Sequence, residues 1–178
     1  RYLHGTAPDR IAVHLAAIRR LSARDVLVES AFNEALGTCD YAVITRNDVI
    51  PGIFSKISGV LAAMGLHILD AQIVTRHDDV IVDTFQVSDP DYAGVPPAER
   101  REQVGRAIRS VLLGEEIVEQ LMGRHRRMDH QRRLPAGRQS TDVQVDNETY
   151  DRATIVDVFA EDRQGLLYVI TRDIFTIG

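Results

Sequence analysis

Tyr41-Ala42-Val43-Ile44, then Asn47-Asp48-Val49-Ile50-Pro51-Gly52, then an apolar helical pattern ending at Gly65: this stretch decides the fold, because it occurs twice. In the second occurrence Thr154-Ile155-Val156-Asp157-Val158-Phe159 runs into Asp162-Arg163-Gln164-Gly165-Leu166-Leu167 and a helix reaching Gly178. Gly52 and Gly65 are thus matched 113 positions later by Gly165 and Gly178. A short strand, a glycine turn and an apolar helix repeated at a fixed interval mark one structural unit used twice. One whole module and the opening of another are expected, and the chain reads as a fragment.

Working outward from the first copy, Ile53, Phe54, Ile57, Val60, Leu61 and Met64 keep helical spacing, and Gly65 supplies the left-handed residue that ends the helix. Residues 68–75 and 80–87 are β-branched runs separated by Arg76-His77-Asp78-Asp79, which predicts a hairpin. Ser88-Asp89-Pro90-Asp91 and Pro96-Pro97 mark a loop before a second amphipathic helix, with Val104, Ile108, Val111 and Leu112 on one face and Gly114 at its end. Strand, helix, strand, strand, helix is the order of an α+β two-layer sandwich. Such a sandwich needs a fourth strand to finish its sheet, and Val143-Gln144-Val145 is the candidate. A short helical pattern over 116–122 and an arginine-rich excursion over 124–140 lie between. Upstream, Thr6-Ala7-Pro8-Asp9 reads as a capped helix start, and Ile11, Leu15 and Ile18 as its apolar stripe. Val26-Leu27-Val28 reads as a short strand leading into the module.

Composition narrows the function classes. The net charge of -5 argues against a dedicated nucleic-acid surface, and the arginine-rich segment, without interleaved aromatics, reads as a solvated linker. The single cysteine, Cys39, allows neither an internal disulfide nor a multi-cysteine metal site and reads as a small core residue. No apolar run approaches the roughly 20 residues that cross a bilayer, and a cytoplasmic setting is the expectation. No Gly-Ser loop followed by an Asp-x-Asp pair, no P-loop and no GxGxxG run is present, so no catalytic or metal-ligating residue is assigned.

The succession of Asp, short turn, Pro-Gly, apolar helix and hairpin resembles the ACT domain, a βαββαβ ferredoxin-like sandwich that binds small metabolites and regulates attached enzymes. The run from Val145-Asp146-Asn147-Glu148 through Ala153-Thr154-Ile155-Val156-Asp157-Val158 to Asp162-Arg163-Gln164-Gly165 is similar to the junction between the tandem ACT domains of PII uridylyltransferase/uridylyl-removing enzymes. Leu69-Asp70-Ala71-Gln72-Ile73 and Asp83-Thr84-Phe85 fit the first of those domains, and Arg1-Tyr2-Leu3 the exit from their HD domain. The resemblance implies a linker over 1–36, a first ACT domain over 37–147, and the start of a second, truncated one over 148–178. It also implies glutamine as effector, PII as partner of the full-length enzyme, ACT–ACT pairing with a homodimer as one form, and magnesium only in catalytic domains outside this chain. The alternative is a stand-alone ACT-repeat association module without catalytic domains. The first turn is one residue longer than Asp-Arg-Pro-Gly, His67 stands where Asn is common, and Gln164 replaces a proline.

The candidate ligand residues are Asn47, Asp48, Gly52 and Ile53 in the first turn, and Asp162, Arg163, Gly165 and Leu166 in its counterpart. A helix N-terminus there offers unpaired N–H groups and a positive dipole end to a carboxylate, and glycine lets a ligand approach the backbone. The plainer reading is that Asn47 or Asp48 only caps the helix. His67 and Ile68 are expected beside the first turn across the sheet. His77-Asp78 reads as hairpin turn rather than metal motif. Asp83, on what should be an inner face, needs either a partner from the neighbouring strand or a bulge that turns it outward. In the truncated copy, Ile155, Val158, Phe159, Leu166, Leu167, Ile170 and Ile174 need cover from elsewhere, through dimerisation or at the expense of order.

Overall fold

Strand β2 (Thr38–Arg46) carries apolar side chains on both faces, and almost all of it is buried. Cys39, Tyr41 and Val43 face one way, whereas Ala42 and Ile44 face the other. A strand buried on both sides must be central, and β2 lies between β1 (Leu27–Asn33) and β4 (Val80–Ser88), with β3 (His67–Gln72) beyond β4. All three pairings are antiparallel. The chain is a computed structural model that describes residues 6–126, 141–150 and 153–177. Arg1-Tyr2-Leu3, the arginine-rich stretch beyond Arg126, Asp151-Arg152 and Gly178 lie outside the described residues.

Two helices, α2 (Ile53–Ala63) and α3 (Ala98–Leu112), cover the Tyr41 face. Ile57, Val60, Leu61, Val104 and Ile108 close over Tyr41, Val43, Phe85 and Val87, and Phe54 stacks on Phe85 with ring centroids 5.5 Å apart. Each helix ends in the same way. The N–H of Gly65 (φ 81) bonds Ala62 and that of Leu66 bonds Leu61; the N–H of Gly114 (φ 76) bonds Val111 and that of Glu115 bonds Ser110. These are the paired bonds of the Schellman motif, so both predicted helix ends hold. Arg100 fastens the start of α3, donating from Nε to Asp89 at 2.9 Å and from Nη2 to the Met64 carbonyl at 2.6 Å. Below α3 the short helix α4 (Val118–Arg126) buries Val118 and Leu121.

The opposite face of the sheet is covered by α1 (Pro8–Arg20), through Ala17 against Ala42, Ile44, Val80 and Val82. Here the expected stripe is displaced. His14 and Ala17 are the buried residues, Ile18 packs half-buried beside Ala17, and Leu15 is exposed. Thr6 does not cap the helix either: the N-cap is Ala7, and the Thr6 hydroxyl donates to Gln72 at 3.3 Å.

One expected pairing is corrected. Val143–Val145 does not finish the first sheet, because β5 (Asp142–Asp146) pairs with β6 (Ile155–Phe159) in a separate two-stranded ribbon. The position beside β2 is taken by β1, which arrives through a turn between the register partners Asn33 and Thr38. Closing that hairpin instead of the much longer connection from α3 to β5 saves roughly 2 kcal/mol of chain entropy, at about 0.6 kcal/mol per doubling of loop length. The two turns begin alike. Asn33 Oδ1 accepts the N–H groups of Ala35 and Leu36 at 3.1 and 3.2 Å, and Asp146 Oδ1 those of Glu148 and Thr149 at 2.7 and 3.0 Å. The repeat therefore starts one strand earlier than its apolar pattern shows.

The second copy continues into α5 (Leu166–Ile177), which packs against α2 and runs antiparallel to it. Gly165 at its start lies against Ala62 and Met122, and Phe175 near its end lies against Gly52.

Candidate functional site

The first turn grows out of β2 where the sheet ends. The Asn47 N–H donates to the Asp79 carbonyl at 2.9 Å, and the Val49 N–H to Arg46 at 3.2 Å, so the chain leaves the sheet pinned on both sides. Gly52 then takes φ 71, ψ 38 as the N-cap of α2. An L side chain at that φ costs roughly 1–2 kcal/mol, which accounts for the glycine before any ligand is considered. Since Gly52 holds the cap position, neither Asn47 nor Asp48 caps the helix. Asp48 is exposed and reaches back to Arg46 Nε at 3.9 Å. Ser55 Oγ donates to the Gly52 carbonyl at 3.0 Å, which stiffens the first turn.

Eight of the ten candidate residues separate into two groups. Asn47, Asp48, Gly52 and Ile53 lie where α2 begins. Asp162, Arg163, Gly165 and Leu166 lie where α2 ends, with Gln164 Nε2 donating to the Ala62 carbonyl at 2.6 Å. The 11 residues of α2 separate the two turns by roughly 16 Å at 1.5 Å per residue. His67 and Ile68 are not beside the first turn. Their partners on β4 are Ser88 and Val87, whereas the turn follows Arg46, whose partner is Val80. They therefore sit at the far end of the sheet, roughly 23 Å away at about 3.3 Å per residue. The physical reason is the length of α2, which carries the chain to the other end of the sheet before β3 begins.

Asp83 is buried on the α2 face, level with Val43 on β2, and only 1 % exposed. Burial pushes its carboxyl up to about 7, an effect eased by the N–H of Val74, the partner from the neighbouring segment. Its Oδ1 has no protein partner. The only irregularity in the β3–β4 register lies between Ile68 and Asp70, so no bulge turns Asp83 outward. His77-Asp78 is a turn, as expected, with Asp78 held by Arg76 at 3.0 Å and Asp79 at φ 59. Cys39 is buried, and burial raises its thiol pKa, the signature of a packing residue. Among the described residues, no group of three or more His, Cys, Asp or Glu side chains could hold a metal ion. No described helix is long and apolar enough to cross a membrane.

Sequence reasoning missed the joint between α5 and the first module. Tyr168 is the one buried residue of α5, and its hydroxyl donates to Glu119 at 2.6 Å. Burial and that carboxylate push the phenol up to about 12, and the same bond holds Glu119 below its ordinary value. The available signal was Gly59, a glycine inside an apolar helix, which marks a close approach.

The described architecture, a four-stranded antiparallel sheet with α2 and α3 on one face and α1 on the other, is an ACT-like α+β sandwich of the ferredoxin-like kind. No family model matches the sequence. The bifunctional uridylyltransferase/uridylyl-removing enzyme of Rhodospirillum rubrum is 34% identical over 132 residues, 73% of this chain and 14% of that enzyme. The enzyme of the same name from Ruegeria pomeroyi is 33% identical over 123 residues, 68% of the chain and 13% of the enzyme. That of Nitrobacter winogradskyi is 32% identical over 156 residues, 84% and 16%. The chain is thus related by sequence to a segment of the bifunctional uridylyltransferase/uridylyl-removing enzymes, and it spans about 15% of the length of those relatives.

Proposed function

We propose that this chain is the effector-sensing segment of a uridylyltransferase/uridylyl-removing enzyme, and that L-glutamine seats its α-carboxylate on the N-terminus of α2, at the Asn47–Ile53 turn. The observation that supports this most is the relationship to those enzymes over 73% of the chain, joined to a turn whose helix cap is a glycine rather than a side chain. A carboxylate there would meet the first N–H groups of α2 and its positive dipole end, and Asp48, exposed at the rim, would face the ammonium. The whole protein, in this reading, is cytoplasmic, acts on PII, and carries its transferase, its hydrolase and their magnesium in other domains. Glutamine changes the balance of the two activities only if it binds two arrangements of the modules with different affinity. The relationship to enzymes favours this reading over a stand-alone association module.

Calorimetry with L-glutamine, and L-glutamate as control, tests it on the wild type, Gly52→Glu and Gly165→Glu. Gly52→Glu should abolish binding and Gly165→Glu should leave it intact. Gly52→Ala carries the same backbone strain without the charge, and should retain more binding than Gly52→Glu. The reverse result at the two glycines moves the site to the second turn, and binding by both acidic variants removes the helix N-termini as sites.

A further inference from the structure

We propose that Asp83 is the hinge of the hairpin tip over residues 73–79, and that the proton on its carboxyl decides whether this tip stays closed against β4 and holds the start of the Asn47–Ile53 turn. The register shows where the carboxyl acts. Gln72 pairs with Thr84 and Thr75 with Ile81, which sets Val74 opposite Val82. The Val82 N–H donates to the Val74 carbonyl and the Arg76 N–H to the Val80 carbonyl, each at 2.8 Å. The Val74 N–H does not return the first of these bonds to Val82; it faces the Asp83 carboxyl instead. Strand β3 accordingly ends at Gln72, with Asp83 buried behind the tip and its Oδ1 unpartnered.

Little else holds the tip. Ile73 is 48 % exposed, and Thr75, His77, Asp78 and Asp79 are exposed, so the tip can open at a free energy well below that of unfolding the module. Its bonds lead to the candidate turn: the Asn47 N–H donates to the Asp79 carbonyl at 2.9 Å and Arg46 Nη2 to the Asp78 carbonyl at 3.4 Å. Opening therefore hydrates Asp83 and frees Asn47 together. No neighbouring charge stands in for that water. The same face of β2 carries Cys39 and Tyr41, the one charged residue of α2 is Lys56, which acts on Glu119, and on the tip Arg76 pairs with Asp78 at 3.0 Å beside His77 and Asp79. None of them acts on Asp83, which answers to burial and the Val74 N–H alone. A carboxyl so placed is stable with its proton and costly without it, so losing the proton favours the open tip. The closed tip holds the proton up to about 7 against an ordinary 3.8, so opening should grow about tenfold per pH unit between these values and level off above them.

Amide hydrogen exchange on the wild-type chain, corrected for the intrinsic pH dependence of exchange, decides this. From pH 5 to pH 8 the protection of the Asn47, Arg76, Asp79 and Val82 amides should fall by about a hundredfold, and at every pH it should lie well below that of Tyr41 and Phe85 in the centre of the sheet. Asp83→Asn, which keeps an acceptor for Val74 but cannot ionise, should hold the same four amides constant with pH. The Asp83 carboxyl carbon, followed by NMR in the wild type, should titrate near 7. Tip protection that is independent of pH, or equal to that of Tyr41 and Phe85, overturns the proposal, and so does the wild-type slope persisting in Asp83→Asn or a carboxyl titrating near 4. Should Asp83→Asn fail to fold, the wild-type series and the carboxyl titration judge the hinge by themselves.

Discussion

The two copies of the repeat share a pattern and differ in what surrounds them. In the first, β2 has a neighbour on each side and helices on both faces, and nine of the 11 residues of α2 are buried. In the second, β6 has one neighbour, Phe159 is 56 % exposed, and α5 buries Tyr168 alone. Apolar strand, glycine turn and apolar helix are local properties, and both copies have them. Burial is conferred by partners, and only the first copy has a full set among the described residues. Part of the cover that the second copy needs comes from the same chain: α5 packs on α2, and Leu166, Leu167 and Ile170 are half-buried while Ile174 stays exposed.

The largest test of this contrast removes one aromatic ring from each copy. Phe85→Ala empties a fully buried site and should cost about 3–5 kcal/mol in a urea titration, whereas Phe159→Ala should change stability by no more than about 0.5 kcal/mol. Comparable losses would mean that the second ribbon is packed in solution, by another copy or by further chain.

A second test uses β4, the strand for which the ribbon has no described counterpart. Asp83 keeps its proton in the folded state up to about 7, against an ordinary value of 3.8. The folded-state pKa is raised, so the associated stability is complete below about pH 4 and is lost as pH rises through 7. Between pH 5 and 8 the wild type should lose about 2–3 kcal/mol through this group, at 1.36 kcal/mol per unit. Asp83→Asn, which can still accept the Val74 N–H, should flatten that slope. Parallel pH profiles for the two proteins would show that the carboxyl is ionised when buried.

The smallest effect expected is at the turn. Asp48→Ala removes an exposed, long ion pair to Arg46 and should shift stability by less than about 0.5 kcal/mol. If the effector site is here, the same variant should weaken glutamine by roughly 1–3 kcal/mol. A variant that loses stability but not binding would reverse the roles given to the residue.

Much of this was legible in the sequence. The period of Ile53 to Met64 gave α2, and Gly65 and Gly114 gave the helix ends. The two β-branched runs gave the β3–β4 hairpin, and the 113-residue interval between matched glycines gave the second copy of the strand, turn and helix. These are consequences of backbone sterics and hydrophobic period, which act over a few residues and need no distant partner. The candidate turn was legible for the same reason, although the cap is Gly52 and neither of the two polar residues that offered one.

What the sequence could not decide was which segments meet. β1 and the Val143–Val145 strand both suit the edge of β2, and the choice between them came from the short Asn33–Thr38 connection and from the pairing of β5 with β6. Likewise His67 sits in sequence just after α2 yet lies a sheet's length from the turn that begins it, and Gly165 and Gly52, equivalent in the repeat, rest at opposite ends of one helix pair. Local pattern determined the elements of this protein; chain connectivity and shape complementarity, such as a tyrosine fitting where a glycine has no side chain, decided their arrangement, because those terms exist only once distant segments are in contact.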